Sequence, residues 1–127
     1  MVAFEGDTGP YLQYAHARIG SMLEKAAGDL DPEAALSIDA PEERRLVLLL
    51  LRYGDAVAEA ANSLEPARLC RYLQTLAAEF SSFYSACPVL KAETPEIRAS
   101  RLRLASLVQR VLADGLDCLG IESPHRM

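Results

Sequence analysis

Apolar residues recur along the chain at spacings of three and four, which is the pattern of helices that bury one face. The first stripe follows Pro10, a residue suited to the first turn of a helix. Its members are Leu12, Ala15, Ile19, Met22 and Leu23. Because the sequence holds no sustained alternation of apolar and polar residues, it predicts helices and no β-strand.

Proline and glycine residues divide the middle of the chain into separate elements. Residues 28–40, which are acidic and contain proline, are typical of a surface loop. The second helix is predicted to begin near Pro41 and to include the apolar run at 46–51. Gly54 is predicted to break or bend this helix, with a further helical stretch over residues 55–64.

Two prolines bound the following helix. Pro66 is expected to open it, and Pro88 is expected to close it and to push Cys87 out of helical geometry. Its apolar stripe consists of Leu69, Leu73, Leu76, Phe80 and either Phe83 or Tyr84. The pattern leaves open which of the last two rings lies in the core.

The run Thr94-Pro95-Glu96 is typical of a helix start, with Thr94 as the N-cap and Pro95 at the first position. Gly120 is expected just beyond the other end of this last helix. The predicted buried face consists of Ile97, Leu104, Val108, Val111, Leu112, Leu116 and Leu119. Together the elements indicate an all-α fold, a bundle of four or five helices that forms a single domain over residues 1–127.

The length of 127 residues fits one domain with a core of its own. The longest apolar run ends at Arg52 and is far too short to span a membrane, and the first residues lack the features of a secretory signal. The three cysteines, Cys70, Cys87 and Cys118, are far apart and odd in number, which argues against a closed set of disulfides. These features predict a cytoplasmic protein with reduced cysteines and no contact with a membrane.

The net charge of −5 argues weakly against nucleic-acid binding, because basic surfaces are the usual sign of that function. The charge is uneven, however, since acidic residues crowd the stretch at 29–43 and arginines lie elsewhere. Net charge is therefore a poor guide to any one face of the molecule.

No residue pattern in the sequence predicts catalysis or a metal site. His16 has no second histidine near it, and the only other histidine in the chain is His125. Cys70 and Cys118 lie beside apolar stripe residues and are expected to be packing residues rather than nucleophiles. The glycine-rich run at 6–10 lacks the Lys-Ser/Thr pair of a phosphate-binding loop.

The aromatic and basic residues indicate a binding surface rather than a catalytic site. Tyr11 and Tyr14 share one face of the first predicted helix, and Arg18 lies one turn beyond Tyr14. Tyr84 lies at the end of the predicted helix between Pro66 and Pro88. Proteins commonly bind single-stranded RNA with rings that stack on its bases and cations that contact its phosphates. Spacing alone nevertheless favours a core position for Tyr84 and a solvated face for the arginines of the last helix.

Three long segments of the chain resemble one protein family. The segment at 4–18 reads FEGDTGPYLQYAHAR, the segment at 80–90 reads FSSFYSACPVL, and the third covers residues 101–127 and ends in PHRM. In this order they resemble the C-terminal domain of arginyl-tRNA synthetases, class I enzymes with a DALR-type anticodon-binding domain. The resemblance covers nearly the whole chain, and the acidic stretch at 29–43 is its least similar part.

The resemblance implies a helical domain that binds the anticodon stem and loop of tRNA. The residues that we expect to contact RNA on this basis are Tyr11, Tyr14, Arg18, Tyr84, Arg126 and Met127. Tyr84 would lie under or beside a base, and Met127, the last residue, would pack near a base of the loop. For these groups to meet, the chain end must fold back over the first helix. His125 departs from the family, which usually has glutamate there, and it changes the local charge.

The resemblance also implies that this chain is a fragment of a larger enzyme. The catalytic domain of the family, with its histidine- and lysine-bearing motifs, is absent from these 127 residues, so the chain alone is expected to be inactive. No cofactor is expected in the fragment, whereas the full-length arginine-tRNA ligase uses ATP. The expected partners are the anticodon loop of tRNA-Arg and the catalytic domain of the same polypeptide.

Two alternatives remain at this point. One is the anticodon-binding domain of another synthetase, of the glycyl β-subunit or cysteinyl type. The other is a helical protein-interaction module without RNA binding, for which an exposed apolar stripe would be expected in place of surface tyrosines.

Overall fold

A computed structural model of the chain describes residues 8–26 and 28–124, most of which lie in five α-helices. The helices are α1 (Thr8–Lys25), α2 (Pro41–Leu51), α3 (Tyr53–Ser63), α4 (Pro66–Ala86) and α5 (Pro95–Cys118). No β-strand occurs within the two described ranges. The predicted all-α bundle of four or five helices is therefore confirmed.

Proline and threonine set the helix starts largely as predicted. Pro41, Pro66 and Pro95 each occupy the first turn of a helix, where a missing N–H costs no hydrogen bond. The Thr94 hydroxyl oxygen accepts a hydrogen bond from the Ile97 backbone N–H at 3.1 Å, which makes Thr94 the predicted N-cap of α5. At the end of α4, Cys87 has extended backbone geometry, as expected for the residue before Pro88.

The break between α2 and α3 lies at Arg52, two positions before the predicted break at Gly54, which is instead in the first turn of α3. The contacts of Tyr53, the first residue of α3, explain this position, because its side chain has partners on α4 and α5. Its hydroxyl donates a hydrogen bond to the Asp114 carboxylate on α5 at 2.5 Å, and its ring lies 5.8 Å from the ring of Tyr72 on α4. These tertiary contacts fix where the chain turns, and they outweigh the local preference of glycine.

Helix α4 is the centre of the bundle and packs against all four other helices. The stripe residues predicted for α1, α4 and α5 mostly face this centre, and Leu12, Leu73, Phe83 and Val108 are fully buried. At Gly115 of α5 an added Cβ atom would lie 2.6 Å from the Leu73 side chain of α4. The two helices therefore approach each other more closely than alanine at position 115 would allow.

The acidic loop at 28–40 lies along the first half of α5, whose side chains bind it. The Arg103 guanidinium donates to the Ala34 carbonyl at 2.6 Å, and the Ser37 backbone N–H donates to the Ser100 hydroxyl at 2.8 Å. Arg98 forms an ion pair with Asp29 at 3.0 Å. The predicted solvated face of arginines on α5 is thus wrong for Arg98 and Arg103, because both bind the chain itself.

Glu43 joins the start of α2 to α5 and is almost fully buried, with 1% of its surface exposed. One carboxylate oxygen accepts hydrogen bonds from the Ala40 and Asp39 backbone N–H groups, and the other accepts from Arg101 at 3.1 Å. Arg101 also donates to the Pro88 carbonyl at 2.7 Å, which ties in the connection after α4. Three segments of the chain therefore meet at one buried ion pair.

The cysteines divide into two environments. All three are free thiols, and Cys70 and Cys87 are buried. Burial raises the pKa of both buried thiols. Cys118 is exposed, so the expectation that it is a packing residue is wrong; it is the last residue of α5, and its side chain lies on the solvent side of that helix end. Among the helices of the described ranges, none is long and apolar enough to cross a membrane.

Candidate nucleic-acid interface

A groove of about 790 Å³ lies between α1 and α4. The side chains that give it its character are Tyr14, Arg18, Ser21, Lys25, Phe80 and Tyr84. The first four come from α1 and the last two from α4, so the packing of one helix on the other creates the groove. It combines exposed aromatic rings with two cations.

The α1 wall of the groove consists of four side chains, each about one helical turn after the one before it. Positions 14, 18, 21 and 25 follow spacings of four, three and four, so their side chains share one face. Tyr14 is 53% exposed, and the Arg18 guanidinium carbon lies 5.8 Å from the centre of its ring. At this distance the cation is attracted to the ring, which holds the guanidinium at the groove.

The α4 wall presents a tyrosine ring supported from the core. Phe83 is fully buried, Phe80 is 8% exposed and Tyr84 is 41% exposed. The Phe80 ring centre lies 5.6 Å from that of Phe83 and 6.1 Å from that of Tyr84, on which it stacks at 22°. Tyr84 therefore has ring surface open to solvent, and the buried Phe80 ring supports it from the core side.

The groove offers two kinds of contact to a ligand. Tyr14 and Tyr84 present flat apolar surface, while Arg18 and Lys25 present positive charge, partly offset by Glu24. An unpaired nucleobase has a flat face and is joined to anionic phosphates, so both kinds of contact match a single nucleotide chain. This chemistry is binding rather than catalysis.

The structure brings together three of the six predicted RNA-contacting residues. Tyr14, Arg18 and Tyr84 line the groove, and the alternative of a core position for Tyr84 is wrong. Tyr11 is 45% exposed one turn earlier on α1, but it does not line the groove itself. Arg126 and Met127, together with His125, lie outside the described residues.

Sequence reasoning missed Ser21, Lys25 and Phe80 as groove residues. Lys25 and Ser21 could have been found, because they continue the spacing of Tyr14 and Arg18 along α1. Phe80 was assigned to the core stripe, and it is indeed buried while its ring supports Tyr84.

Residues 120–124 fold back over α1, which is the direction that the predicted meeting of the tyrosines with the chain end requires. Gly120 has a φ of +75°, a left-handed conformation that glycine adopts without strain, and it turns the chain at the end of α5. Ile121 then lies beside Gly9, and the Gln13 side chain amide donates to the Glu122 carbonyl at 2.9 Å.

In the part of the chain that the structure describes, metal-ligating side chains do not converge. Across residues 8–26 and 28–124, no group of three or more His, Cys, Asp or Glu side chains is placed to hold a metal ion. His16 is buried, and its Nδ1 lies 3.3 Å from the Pro124 carbonyl oxygen. The absence of metal from the protein in solution stays a prediction.

A second, smaller hollow has a different character. It has a volume of about 320 Å³ between α3, α4 and α5, and Val57, Leu64, Leu69 and Leu119 are among its lining residues. Leu64 is 86% exposed. Because no aromatic ring or cation lines this hollow, it lacks the contacts that a nucleotide requires.

Comparison with known proteins agrees with a groove that presents aromatic rings and cations to a nucleotide chain. Residues 12–127 match the DALR anticodon binding domain family. The chain is 49% identical to the arginine–tRNA ligase of Cutibacterium acnes and 54% identical to that of Frankia casuarinae, in each case over its whole length. It covers 25% and 21% of those two proteins, so it spans about a quarter of the length of the curated relatives that it matches.

Solved structures show the same helical arrangement. An arginyl-tRNA synthetase from Thermus thermophilus superposes with a TM-score of 0.84 at 46% identity, over 98% of this chain and 22% of that one. The arginyl-tRNA synthetase of Plasmodium falciparum superposes with a TM-score of 0.82 at 28% identity, over 97% of this chain and 22% of that one.

Proposed function

The chain belongs to the DALR anticodon-binding domain family, and we propose that it binds the anticodon stem and loop of tRNA as one domain of an arginine-tRNA ligase. The observation that carries the proposal is the groove between α1 and α4, where two exposed tyrosines lie beside two cations. The whole-chain identity to arginine–tRNA ligases supports the amino-acid assignment.

In the proposed complex, an anticodon base leaves the stack of the loop and enters the groove. The base stacks on the exposed surface of the Tyr84 ring. The Phe80 ring packs against the opposite side of Tyr84 and holds it in place. Tyr14 covers the edge of the base, and Arg18 and Lys25 neutralise the flanking phosphates. Tyr11, Arg126 and Met127 extend the contacts beyond the groove.

The catalytic domain, which this chain lacks, would belong to the longer ligase. The curated relatives are about four to five times as long as the stretch matched here. We propose that a catalytic domain in the same polypeptide binds ATP and arginine and attaches the amino acid to tRNA-Arg. The present chain needs no cofactor for its part, which is to hold the anticodon end of the tRNA. We expect the ligase to work in the cytoplasm.

A titration of the chain with three purified tRNAs tests the proposal. Transfer RNAs for arginine, glycine and cysteine are added to the labelled chain, and binding is followed by fluorescence anisotropy. The arginine tRNA should bind most tightly. Preference for the glycine or cysteine tRNA would favour the other synthetase types, and failure to bind any tRNA would favour a protein-interaction module that uses the apolar hollow.

Substitution of Tyr84 tests the central contact. Tyr84→Ala should weaken binding of the arginine tRNA by about 1–3 kcal/mol, the usual contribution of one stacked base, and Tyr84→Phe should retain most of the affinity because it keeps the ring. The helical circular dichroism of both variants should match the parent, since the ring is 41% exposed.

Leu48→Ala on α2 is the matched control, because Leu48 is also a large exposed side chain but does not line the groove. Its tRNA affinity should equal that of the parent chain. Full retention of affinity by a folded Tyr84→Ala variant would remove Tyr84 from the proposed site.

A further inference from the structure

The two helices that form the groove run in the same direction. Near the start of α1, the Gln74 side-chain amide of α4 donates to the Thr8 hydroxyl at 3.5 Å. Further along both helices, Tyr84 and Arg18 line the groove, and each lies ten residues after its partner in that hydrogen-bonded pair. Because each helix rises by about 1.5 Å per residue, Tyr84 lies near the level of Arg18.

Beyond this level the groove changes character. α4 ends at Ala86, two residues after Tyr84. The α1 stripe continues to Ser21 and Lys25, which are both exposed, and Lys25 lies about 10 Å beyond Arg18 along the helix axis. The aromatic residues that line the groove, within the part of the chain that the structure describes, all lie at or before the level of Arg18. The far part of the groove therefore presents polar side chains and has α1 as its main wall.

The Ser21 hydroxyl is available to a ligand. Hydroxyls on helices can donate to a carbonyl of the preceding turn, and those of Ser63 and Thr75 do so at 2.7 and 3.0 Å. Across residues 8–26 and 28–124, the Ser21 hydroxyl makes no hydrogen bond, although its side chain lines the groove. It can therefore donate one hydrogen bond to a ligand and accept others.

The ribose and phosphate of a nucleotide match the two exposed side chains of this far part. A ribose 2′-hydroxyl both donates and accepts, as the Ser21 hydroxyl does, and a phosphate attracts the Lys25 ammonium. Glu24 also lines the groove, but it lies about 100° around the helix from Lys25, so a phosphate can approach on the Lys25 side. Since no ring lies here among the described residues, a base has nothing on which to stack.

We propose that the groove binds two successive nucleotides of an RNA strand in different ways. The base of one stacks between Tyr14 and Tyr84, and the next nucleotide is held through its ribose by Ser21 and through its phosphate by Lys25. The base of this second nucleotide points away from the groove and is not recognised. The inference rests on the proposed function, because it concerns how the same groove takes up an anticodon loop.

Synthetic anticodon stem-loops of an arginine tRNA, each altered at one loop nucleotide, test the proposal by fluorescence anisotropy. Removal of the base that stacks on Tyr84 should weaken binding about 5- to 150-fold, and this loss should disappear in Tyr84→Ala. Removal of the base from one adjacent nucleotide should leave the affinity unchanged. Replacement of the 2′-hydroxyl of that same nucleotide by hydrogen should weaken binding about fivefold.

Variants of the 127-residue chain identify the protein side of these contacts. Ser21→Ala should weaken binding of the unaltered stem-loop about fivefold and should be insensitive to loss of that 2′-hydroxyl. Lys25→Ala should weaken binding and make its salt dependence shallower. The matched controls are Ser82→Ala and Lys91→Ala, because both residues are exposed outside the groove, and both variants should bind as the parent chain does.

The outcomes separate this inference from the function on which it rests. Absence of binding to the unaltered stem-loop would overturn both. Binding that weakens as much on removal of either adjacent base as on removal of the stacked base would overturn the inference alone. A stem-loop that binds equally well without any one of its loop 2′-hydroxyls would also overturn it, as would an undiminished 2′-hydroxyl effect in Ser21→Ala.

Discussion

Leu64 adopts a backbone conformation that L-amino acids rarely adopt. Its φ of 55° and ψ of 36° are left-handed, and it is the one non-glycine residue with positive φ in the described part of the chain. The Leu64 N–H donates to the Ala61 carbonyl and the Glu65 N–H donates to the Ala60 carbonyl, so α3 ends in the motif that Gly120 forms after α5. Leucine therefore occupies a position that favours glycine.

Leu64→Gly should raise the free energy of unfolding by up to about 1 kcal/mol. The strain of the left-handed side chain is relieved, and little burial is lost because Leu64 is 86% exposed. Urea unfolding measures the effect, and Leu51→Gly is the control. Leu51 is 75% exposed but lies within α2, so glycine should lower stability there by up to about 1 kcal/mol. A lower free energy of unfolding for Leu64→Gly would contradict the claim that the backbone at Leu64 is strained.

The three thiols should differ in reactivity. Cys118 is exposed, whereas burial protects Cys70 and Cys87 and raises the pKa of both, which lowers their thiolate fraction. A thiol reagent should modify one cysteine rapidly in the native chain and all three in denaturant. Cys118→Ser should abolish the rapid phase, and rapid modification of two or three native thiols would contradict the burial.

At the scale of elements, Glu43 determines how the start of α2 meets α5. Burial alone would raise the pKa of Glu43, but hydrogen bonds from the Ala40 N–H, the Arg101 guanidinium and the Asp39 N–H outweigh it, and the pKa falls below its ordinary value of 4.5. The folded state thus favours the charged carboxylate. Its contribution to stability is complete above pH 4.5 and is lost as the pH falls through the lowered pKa.

Glu43→Gln should lower the free energy of unfolding at pH 7 by about 1–3 kcal/mol, because Arg101 loses a charged partner in a buried setting. The difference between parent and variant should shrink as the pH is lowered below 4.5, where the parent carboxylate becomes protonated. Urea unfolding at several pH values measures this. Glu42→Gln is the control, since Glu42 pairs with Arg45 only at 3.9 Å near the surface, and a pH-independent difference would contradict the assignment.

The helices could be predicted largely from the sequence because proline, threonine and apolar spacing act locally. Pro41, Pro66 and Pro95 each mark a helix start in the sequence and in the structure. The break at Arg52 could not be predicted, because it follows from the contact of Tyr53 with Asp114, a residue 61 positions away. Local patterns contain no information about such partners.

The candidate site could be predicted only in part, for a related reason. Tyr14 and Arg18 share a face that the sequence reveals, but spacing does not say which face of α1 meets α4. Spacing alone therefore favoured a core position for Tyr84, whereas the packed bundle has Phe83 inside and Tyr84 at the surface. The resemblance to a known family, rather than periodicity, indicated that the Tyr84 ring is accessible.

At the scale of the whole molecule, charge is distributed unevenly along the chain. The net charge is −5, and acidic residues crowd the stretch at 29–43, while Arg98, Arg101 and Arg103 are occupied by contacts within the chain. Within the groove, positive charge comes from Arg18 and Lys25. Binding by this chain should therefore depend more on stacking than on phosphate contacts.

The dependence of tRNA affinity on salt measures this balance. Two or three phosphate contacts with a single-stranded loop should give a slope of log K against log salt of about −2, and Arg18→Ala should make it shallower by about 0.7. Arg110→Ala is the control, because Arg110 is exposed on α5 outside the groove and should leave the slope unchanged. A slope steeper than about −5 would indicate a large basic interface elsewhere.

The attachment of the loop at 28–40 to α5 has a consequence for how this chain can change over evolutionary time. Arg103 and Ser100 bind a carbonyl at Ala34 and an N–H at Ser37, and nearly every amino acid supplies these main-chain atoms. These two hydrogen bonds therefore do not depend on which side chains stand at positions 34 and 37. Mutations at exposed positions of the loop can therefore add negative charge and leave these hydrogen bonds in place, so this segment can diverge while the groove between α1 and α4 stays fixed.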